Sequence, residues 1–432
     1  MSSSTARFFR TRRPRATGAR TTRGYVAALL NWWDGAPGAG APTPSSLSDA
    51  IGIARLTLMI GLVFLHYGAY PGMASSPFDG FDPDTHPVAT FANSFVLFFF
   101  FSVVPLLATV SGWLFFGFSA AEARGALASR IRHRGRSLYL PLLAWNGVYL
   151  LLALVAFRLW PQSTFFGGLN IDLAQAQARD YLNAVTALTA HPIAFQFWFV
   201  RDLLLVVLLS PLLWAGIRWV PLPGALVLGT VWITGHDLWI FFRTDVLFFF
   251  YIGGLLRWRR MAVGLSSHTT AILLALYVGL LAVRTLAPAA VDLAAGRPEW
   301  LEMMTRAMRL VGIAACWGLC LQAAYTAAGR RVARYAGLAF FLFATHFPVI
   351  AIVKAVTWSW IPRVTDAWMT VHYAGSVVAT LAICLSAGLV LARTAPRWFA
   401  LMNGGRLLPA APAQSPGAAR PAACGGQRGI TQ

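Results

Sequence analysis

Long apolar runs separated by short polar segments dominate most of the chain. A transmembrane helix needs about 20 mostly apolar residues to cross about 30 Å of hydrocarbon. Ten runs are candidates, at residues 51–70, 94–118, 138–160, 196–216, 222–241, 244–258, 268–287, 306–328, 335–358 and 371–392. We therefore predict an all-α membrane protein, a bundle of about ten transmembrane helices. The sixth run is short, and the fifth and sixth together could instead form a hairpin that does not fully cross.

Composition supports a membrane location. Hydrophobic residues make up 57% of the 432 residues and charged residues 12%, whereas a soluble domain carries about 25% charged residues. The mean hydropathy is +0.61. Because one aqueous core would not bury so much apolar surface, we take the bilayer as the solvent.

The net charge of +20 comes from arginines clustered between the apolar runs. They concentrate in both terminal segments and after the second, fourth, sixth and eighth runs, while the other gaps hold most of the acidic residues. This asymmetry predicts that both termini are cytoplasmic. It also argues against nucleic acid as the partner, because the charge forms no continuous basic surface.

Three regions follow from these patterns. Residues 1–48 are expected to be a basic, disordered cytoplasmic tail, residues 49–395 the transmembrane domain, and residues 396–432 a second disordered tail. The tails are rich in Pro, Gly and Ala and lack periodicity.

The first span contains Arg55 and His66, eleven residues apart. That spacing is about three helical turns, so both side chains lie on one helix face, about 16 Å apart. Arg55 could be a snorkelling anchor, and His66 could form a helix-to-helix hydrogen bond. Together they suggest a phosphate-bearing ligand held at Arg55 whose reactive end reaches His66, a candidate general base.

His346 lies in an apolar span at a depth similar to that of His66, two residues before Pro348. Proline frees a backbone carbonyl and kinks a helix, which suits a cavity. A packing histidine is the alternative.

Arg201 and Asp202 are adjacent in an aromatic-rich span, so their side chains point about 100° apart. They are either a structural ion pair between helices or a substrate contact lining the cavity.

A basic cluster precedes the third span and contains Arg130, Arg132, Arg134 and Arg136. Anchoring by the positive-inside rule explains it, and capture of the phosphates of an acyl carrier is the sharper hypothesis. The other histidines, among them His191 and His372, fall in loops or at span ends, where we expect them to be solvated. No metal-ligand cluster, nucleophile elbow or Gly-rich phosphate loop is evident.

These features together resemble the acyltransferase type 3 family of integral membrane acyltransferases, over about residues 48–395. Besides the Arg55–His66 spacing, the resemblance lies in "FSVVPLLATVSGWLFF", "SLYLPLL", "FWFVRDLLLVVLLSPLL", "FFYIGGLL" and "FFLFATHFPVI", in that order.

The resemblance implies a bundle of about ten helices and a multi-pass location in the cell inner membrane. It implies acyl-CoA as a cytoplasmic co-substrate, with no tightly bound cofactor, and a carbohydrate hydroxyl on the other side as acceptor. Acetyl is the default acyl group. His66 corresponds to the family's catalytic histidine and Arg55 to its arginine. Direct transfer and an acyl-histidine intermediate both remain open.

A different function class stays open as well. A flippase or exporter of a lipid-linked glycan would use buried Arg and His residues as a translocation path. Binding of acyl-CoA distinguishes the two classes, because a flippase has no need of it.

Overall fold

The computed structural model describes residues 42–163, 168–293 and 296–408, and these contain sixteen α-helices and no strand. The helices are α1 (Pro44–Tyr67), α2 (Pro87–Phe100), α3 (Val103–Phe115), α4 (Ala123–Arg134), α5 (Leu140–Leu159), α6 (Ala178–Thr186), α7 (Trp198–Leu208), α8 (Ser210–Trp219), α9 (Pro221–Thr234), α10 (Asp245–Trp258), α11 (Ser267–Thr285), α12 (Glu299–Ala324), α13 (Ala327–Arg334), α14 (Ala339–Trp358), α15 (Asp366–Thr394) and α16 (Pro396–Met402).

Seven helical segments of the described residues are long and apolar enough to cross a membrane. They are Pro44–Tyr67, Pro87–Phe115, Ala123–Leu159, Ser267–Thr285, Glu299–Ala324, Ala336–Trp358 and Asp366–Thr394. Their outer faces expose large apolar side chains such as Leu152 and Val378, as expected for helices in contact with lipid. The chain is therefore a multi-pass membrane protein.

The expected count of about ten spans is not confirmed, and the differences fall in the fourth to sixth runs. The fourth run is two helices, α7 and α8, bent by 60° at a break just before Pro211, whose ring cannot continue an α-helix. Counting this bent pair as one span gives up to eight. Helices α9 and α10 have 14 residues each. At 1.5 Å per residue each is about 21 Å long, shorter than the hydrocarbon core. The orientation of the termini stays a prediction.

Helix α1 occupies the centre of the bundle. It packs against α2, α3, α12, α13, α14 and α15, and most of its length is buried. Its first turn is capped by Thr43, whose side chain accepts a hydrogen bond from the backbone N–H of Ser46. Because α1 is central, Arg55 and His66 face protein rather than lipid.

Helices α3 and α10 approach each other so closely that their glycines touch backbone. A Cβ atom on Gly112 would collide with the carbonyl of Phe250, and one on Gly253 would collide with the carbonyl of Thr109. The glycines of the "YIGGLL" segment are therefore packing residues, as small residues often are between membrane helices.

Part of the expected C-terminal tail is ordered. Helix α16 and the residues after it pack on the bundle, since Trp145 donates a hydrogen bond of 2.8 Å to the carbonyl of Met402. The side-chain amide of Asn403 donates to the carbonyls of Gly337 and Arg406, at 2.7 and 2.8 Å. The segment Pro396–Leu408 thus belongs to the helical domain. Residues 1–41 and 409–432, which hold most of both expected tails, lie outside the described residues.

Gly112→Ala tests the α3–α10 contact. The added methyl group has no space beside Phe250, so we expect a loss of about 1–3 kcal/mol in stability and a lower thermal transition in detergent, measured by fluorescence-detected size exclusion. Gly279→Ala is the matched control, because nothing lies within 4 Å of the position of its Cβ. Equal melting of both variants would contradict the packing role.

Candidate active site

The two membrane-embedded histidines meet. His66 Nδ1 lies 2.7 Å from His346 Nε2, and the rings lie edge to edge and nearly coplanar, with centroids 4.9 Å apart and an interplanar angle of 5°. His346 is completely buried, whereas His66 is partly accessible. Phe195 and Phe347 pack edge-on against the His66 ring. The helix-to-helix hydrogen bond expected for His66 is therefore present, and its partner is the second candidate histidine.

The hydrogen bonds determine the tautomer of each ring. His346 Nδ1 lies 2.8 Å from the carbonyl of Phe343 and 3.0 Å from that of Leu342. Because carbonyl oxygens only accept, His346 Nδ1 carries a proton, and in the neutral ring its Nε2 must be an acceptor. His66 Nδ1–H then donates to that nitrogen. The lone pair of His66 is consequently on Nε2, where a base or nucleophile needs it.

Pro348 supports the site through the carbonyl that it leaves without a helical donor. The free carbonyl belongs to Ala344, and it accepts a 2.6 Å hydrogen bond from the hydroxyl of Tyr149 and a 3.0 Å bond from Nε2 of Gln196. The predicted free carbonyl is therefore present, and the kink stays a prediction. These two hydrogen bonds connect α5 and the segment that contains Gln196 to α14, within one turn of His346.

A cavity of about 460 Å³ adjoins His66, and we call it the histidine cavity. Its walls are mainly apolar and aromatic, and its polar lining residues are His66, His191, Gln196, Arg243, Asp245 and Arg309. Arg309 and Asp245 form an ion pair of 2.7 Å. The Arg243 residue is exposed, whereas the Asp245 carboxylate is buried. This volume is sufficient for a small ligand with a few polar contacts.

Arg201 and Asp202 form an ion pair of 2.9 Å with each other and do not line the histidine cavity. Asp202 is completely buried and accepts the backbone N–H groups of Phe242 and Arg243, at 3.3 and 2.9 Å. Arg201 donates to the carbonyls of three loop residues, Ala187, Leu188 and Ile240. The pair therefore fixes the loop that carries Arg243, which is a structural role.

A second, smaller cavity of about 100 Å³ lies beside the middle of α1, at Arg55 and Met59, and we call it the arginine cavity. Three guanidiniums line it, from Arg55, Arg134 and Arg406, together with Ser111 and apolar residues. Arg134 is followed directly by a π-helical turn, Gly135–Tyr139, a feature often found at functional sites. None of the residues lining this cavity is acidic. Such a site suits an anion with several oxygen atoms.

The charge of Arg406 persists at neutral pH. Burial, and then the charges of Arg55 and Arg134, lower its pKa to about 10. Three cations thus share one small volume with no acidic partner among the described residues, and mutual repulsion makes the binding of an anion favourable.

The other three arginines of the basic cluster do not line the arginine cavity. Arg130 donates to the carbonyls of Leu114, Phe115 and Gly117, and so caps the end of α3. Arg132 and Arg136 are exposed. Of the four predicted residues, only Arg134 lines the arginine cavity.

The two cavities share walls at Phe199 and Phe343, whose ring centroids are 6.4 Å apart. Arg55 and His66 lie at opposite ends of the pair, about 16 Å apart along α1. These rings are in edge-to-face contact, so an extended ligand that contacted both cavities would pass beside them.

Several site residues are absent from the sequence-based prediction. Arg309 could have been found, because it is an ionisable residue within an apolar run. Arg243 and Arg406 gave no such signal, because they lie in a short loop and in the C-terminal segment. The expectation of solvated histidines is wrong for His372, which is buried between the Tyr67 hydroxyl and Thr357. His191 is exposed, as expected, and its ring stacks on Phe242, with centroids 3.9 Å apart.

Comparison with known proteins gives two matches. Residues 48–389 match a family model described as an acyltransferase domain. The chain is also 27% identical over 370 residues to the succinoglycan biosynthesis protein ExoH of Rhizobium meliloti (strain 1021), covering 84% of this chain and 93% of that protein. No solved structure matches. Among the described residues, no group of three or more His, Cys, Asp or Glu side chains is arranged to hold a metal ion.

Asp202→Asn tests the structural role of the ion pair. The amide would leave the largely buried Arg201 without its carboxylate, and breaking a buried pair costs about 3–5 kcal/mol. We expect a lower thermal transition in detergent and increased proteolysis in the 235–244 loop. Asp84→Asn, in an exposed loop, removes the same charge and is the control. A stable Asp202→Asn protein with an intact loop would contradict this role.

Proposed function

The chain belongs to the family of acyltransferase domains and is a membrane acyltransferase, and from this premise we propose its substrates and mechanism. It takes an acyl group from acyl-CoA on the cytoplasmic side and transfers it to a hydroxyl group of a carbohydrate on the other side of the membrane. Its location is the cell inner membrane. The hydrogen-bonded pair of His66 and His346 is the observation that carries this proposal.

His66 acts as the base. Its Nε2 lone pair accepts the proton of the acceptor hydroxyl while the hydroxyl oxygen attacks the thioester carbonyl. The new C–O bond forms, the C–S bond breaks, and the thiolate of CoA recovers the proton from the imidazolium. The same lone pair would serve an acyl-histidine intermediate, in which Nε2 attacks the thioester first and the acceptor hydroxyl displaces the imidazole.

His346 positions this base. Its Nδ1–H is engaged by backbone carbonyls, so its Nε2 accepts from His66 Nδ1 and holds the ring in the tautomer that the reaction needs. When His66 takes up a proton, the same hydrogen bond becomes charge-assisted and stronger. The dyad therefore stabilises the imidazolium more than the starting imidazole, which favours the transition state.

The arginine cavity holds phosphate oxygens of acyl-CoA. Arg55 and Arg134 were expected there from the sequence, and Arg406 supplies a third guanidinium. The distance of about 16 Å between the two ends of the Arg55–His66 face leaves room for the pantetheine arm, which passes Phe199 and Phe343. This arrangement requires the arginine cavity to face the cytoplasm, in agreement with the charge asymmetry of the chain.

The acceptor is a polysaccharide or its lipid-linked precursor. The name of the relative ExoH, a succinoglycan biosynthesis protein, supports a polysaccharide pathway. Acetyl is the simplest acyl group that the dyad would transfer, and it is the first donor to be tested.

The direct test is transfer from radiolabelled acetyl-CoA to a bacterial glycan extract, in membranes with equal amounts of each variant. We expect His66→Ala to lower transfer by about 10²–10⁴-fold, the range for loss of a general base. His268→Ala, an exposed histidine at the start of α11, should keep wild-type activity. Equal labelling by wild type and His66→Ala would remove His66 from the mechanism. The absence of both labelling and CoA binding would instead favour the flippase.

Arg134→Gln tests the donor site. We expect the KM for acetyl-CoA to rise about tenfold or more with a smaller change in kcat, because a charge-assisted hydrogen bond to phosphate contributes about 1.5–3 kcal/mol. Arg132→Gln is the matched control, two residues away and exposed. If both variants changed the KM equally, the effect would come from general surface charge, and the assignment of the arginine cavity would be wrong.

A further inference from the structure

The charges around the histidine cavity do not balance. Arg243 and Arg309 both line it, and Asp245 is the acidic residue among its lining. The Asp245 carboxylate is already engaged, because it accepts hydrogen bonds of 2.7 Å from both Arg309 Nη1 and Trp232 Nε1. One guanidinium charge is therefore in excess beside the histidine dyad.

Arg243 carries that excess charge. Its backbone N–H is fixed by Asp202, and its guanidinium lies 5.6 Å from the centre of the Trp198 ring. Among the described residues, its side chain forms no hydrogen bond and no ion pair within 4.0 Å. It lines the same cavity as His66. An exposed guanidinium with five donors and no acceptor among the described residues suits an anionic ligand group.

Two buried polar atoms on the same cavity point to a ligand independently. Arg309 Nε, a donor, and Gln196 Oε1, an acceptor, have no hydrogen-bond partner among the described residues. Arg309 is 7% exposed and Gln196 is 1% exposed, and both residues line the histidine cavity. Buried polar groups without partners are costly. Both atoms are themselves buried, so a ligand with an anionic oxygen and a hydroxyl group would satisfy them once their side chains turn towards the cavity.

We propose that the histidine cavity contains a carboxylate-binding subsite formed by Arg243 and Arg309, which recognises a carboxylate on one of the two substrates of the proposed reaction. The carboxylate is either the free end of a dicarboxylic acyl group or the acid group of an acidic sugar. Gln196 Oε1 accepts a hydroxyl of the bound carbohydrate. This inference rests on the proposed function, because it concerns which acyl groups or acceptors the same site selects.

A carboxylate-binding arginine and an arginine that stabilises the transition state affect different substrates. An arginine that stabilised the oxyanion would act on every acyl group and every acceptor equally. An arginine that binds a carboxylate lowers the KM only for the substrate that carries it, and leaves neutral substrates unchanged.

The test compares wild type, Arg243→Gln and Arg243→Lys with four substrate pairs. The donors are acetyl-CoA and glutaryl-CoA, and the acceptors are a neutral glucan oligosaccharide and the same oligosaccharide bearing glucuronic acid. We expect Arg243→Gln to raise the KM of one carboxylate-bearing substrate about tenfold or more, with partial rescue by Arg243→Lys. A KM effect confined to glutaryl-CoA identifies the acyl group as the source, and one confined to the acidic acceptor identifies the sugar.

The proposal would be overturned if Arg243→Gln lost the same activity with all four substrate pairs. It would also be overturned if the wild type used acidic and neutral substrates equally well. Thermal shift in detergent with glutarate or glucuronate as the probe separates this proposal from the proposed function. Stabilisation of wild type but not of Arg243→Gln supports the subsite even if no transfer occurs, whereas transfer without any such stabilisation or selectivity supports only the acyltransferase. The melting temperature without probe shows whether Arg243→Gln folds.

Discussion

The hydrogen bond between His66 and His346 joins the two central helices of the site, α1 and α14, in a surrounding that is almost entirely apolar. Two imidazoles in such a place are costly unless their polar atoms are paired. Pairing satisfies three of the four ring nitrogens, since His346 Nδ1 is bound to backbone carbonyls. The fourth, His66 Nε2, is the atom that the proposed reaction uses. The same contact thus serves both packing and chemistry.

The rest of the site is arranged around this contact. Pro348 leaves the Ala344 carbonyl free, and that carbonyl holds Gln196 and Tyr149 in place. Asp202 is buried in α7 and holds the loop that presents Arg243. These polar groups therefore each hold a neighbouring segment in place. In hydrocarbon, a polar group without a hydrogen-bond partner would cost more free energy than the ordering of the segment that supplies the partner. The result is two cavities of different charge along one helix.

Apolar patterning predicted the helical membrane fold, because long runs without charge have few alternatives. The position of Arg55 and His66 on one helix face was predicted from their spacing. The place of His346 at a cavity was predicted from the nearby Pro348. The short sixth run matched α10, but the length of α9 did not follow, because apolar residues continue beyond its C-terminal end. Arg243 and Arg406 were beyond prediction, since their positions depend on hydrogen bonds between loops distant in sequence. For Asp202 the sequence left a structural ion pair and a substrate contact open, and the structure pairs it with Arg201 and with the backbone N–H groups of Phe242 and Arg243.

The central claim is that His346 holds His66 in the neutral form with its lone pair on Nε2. Nitrogen-15 NMR of the detergent-solubilised protein with labelled histidine measures this directly, with His66→Ala and His346→Gln used to assign the signals. We expect His66 to carry its proton on Nδ1 and to have an unprotonated Nε2 at neutral pH, and we expect that preference to weaken in His346→Gln. A proton on Nε2 of His66 in the wild-type protein, or a His66 signal unaffected by His346→Gln, would contradict the account.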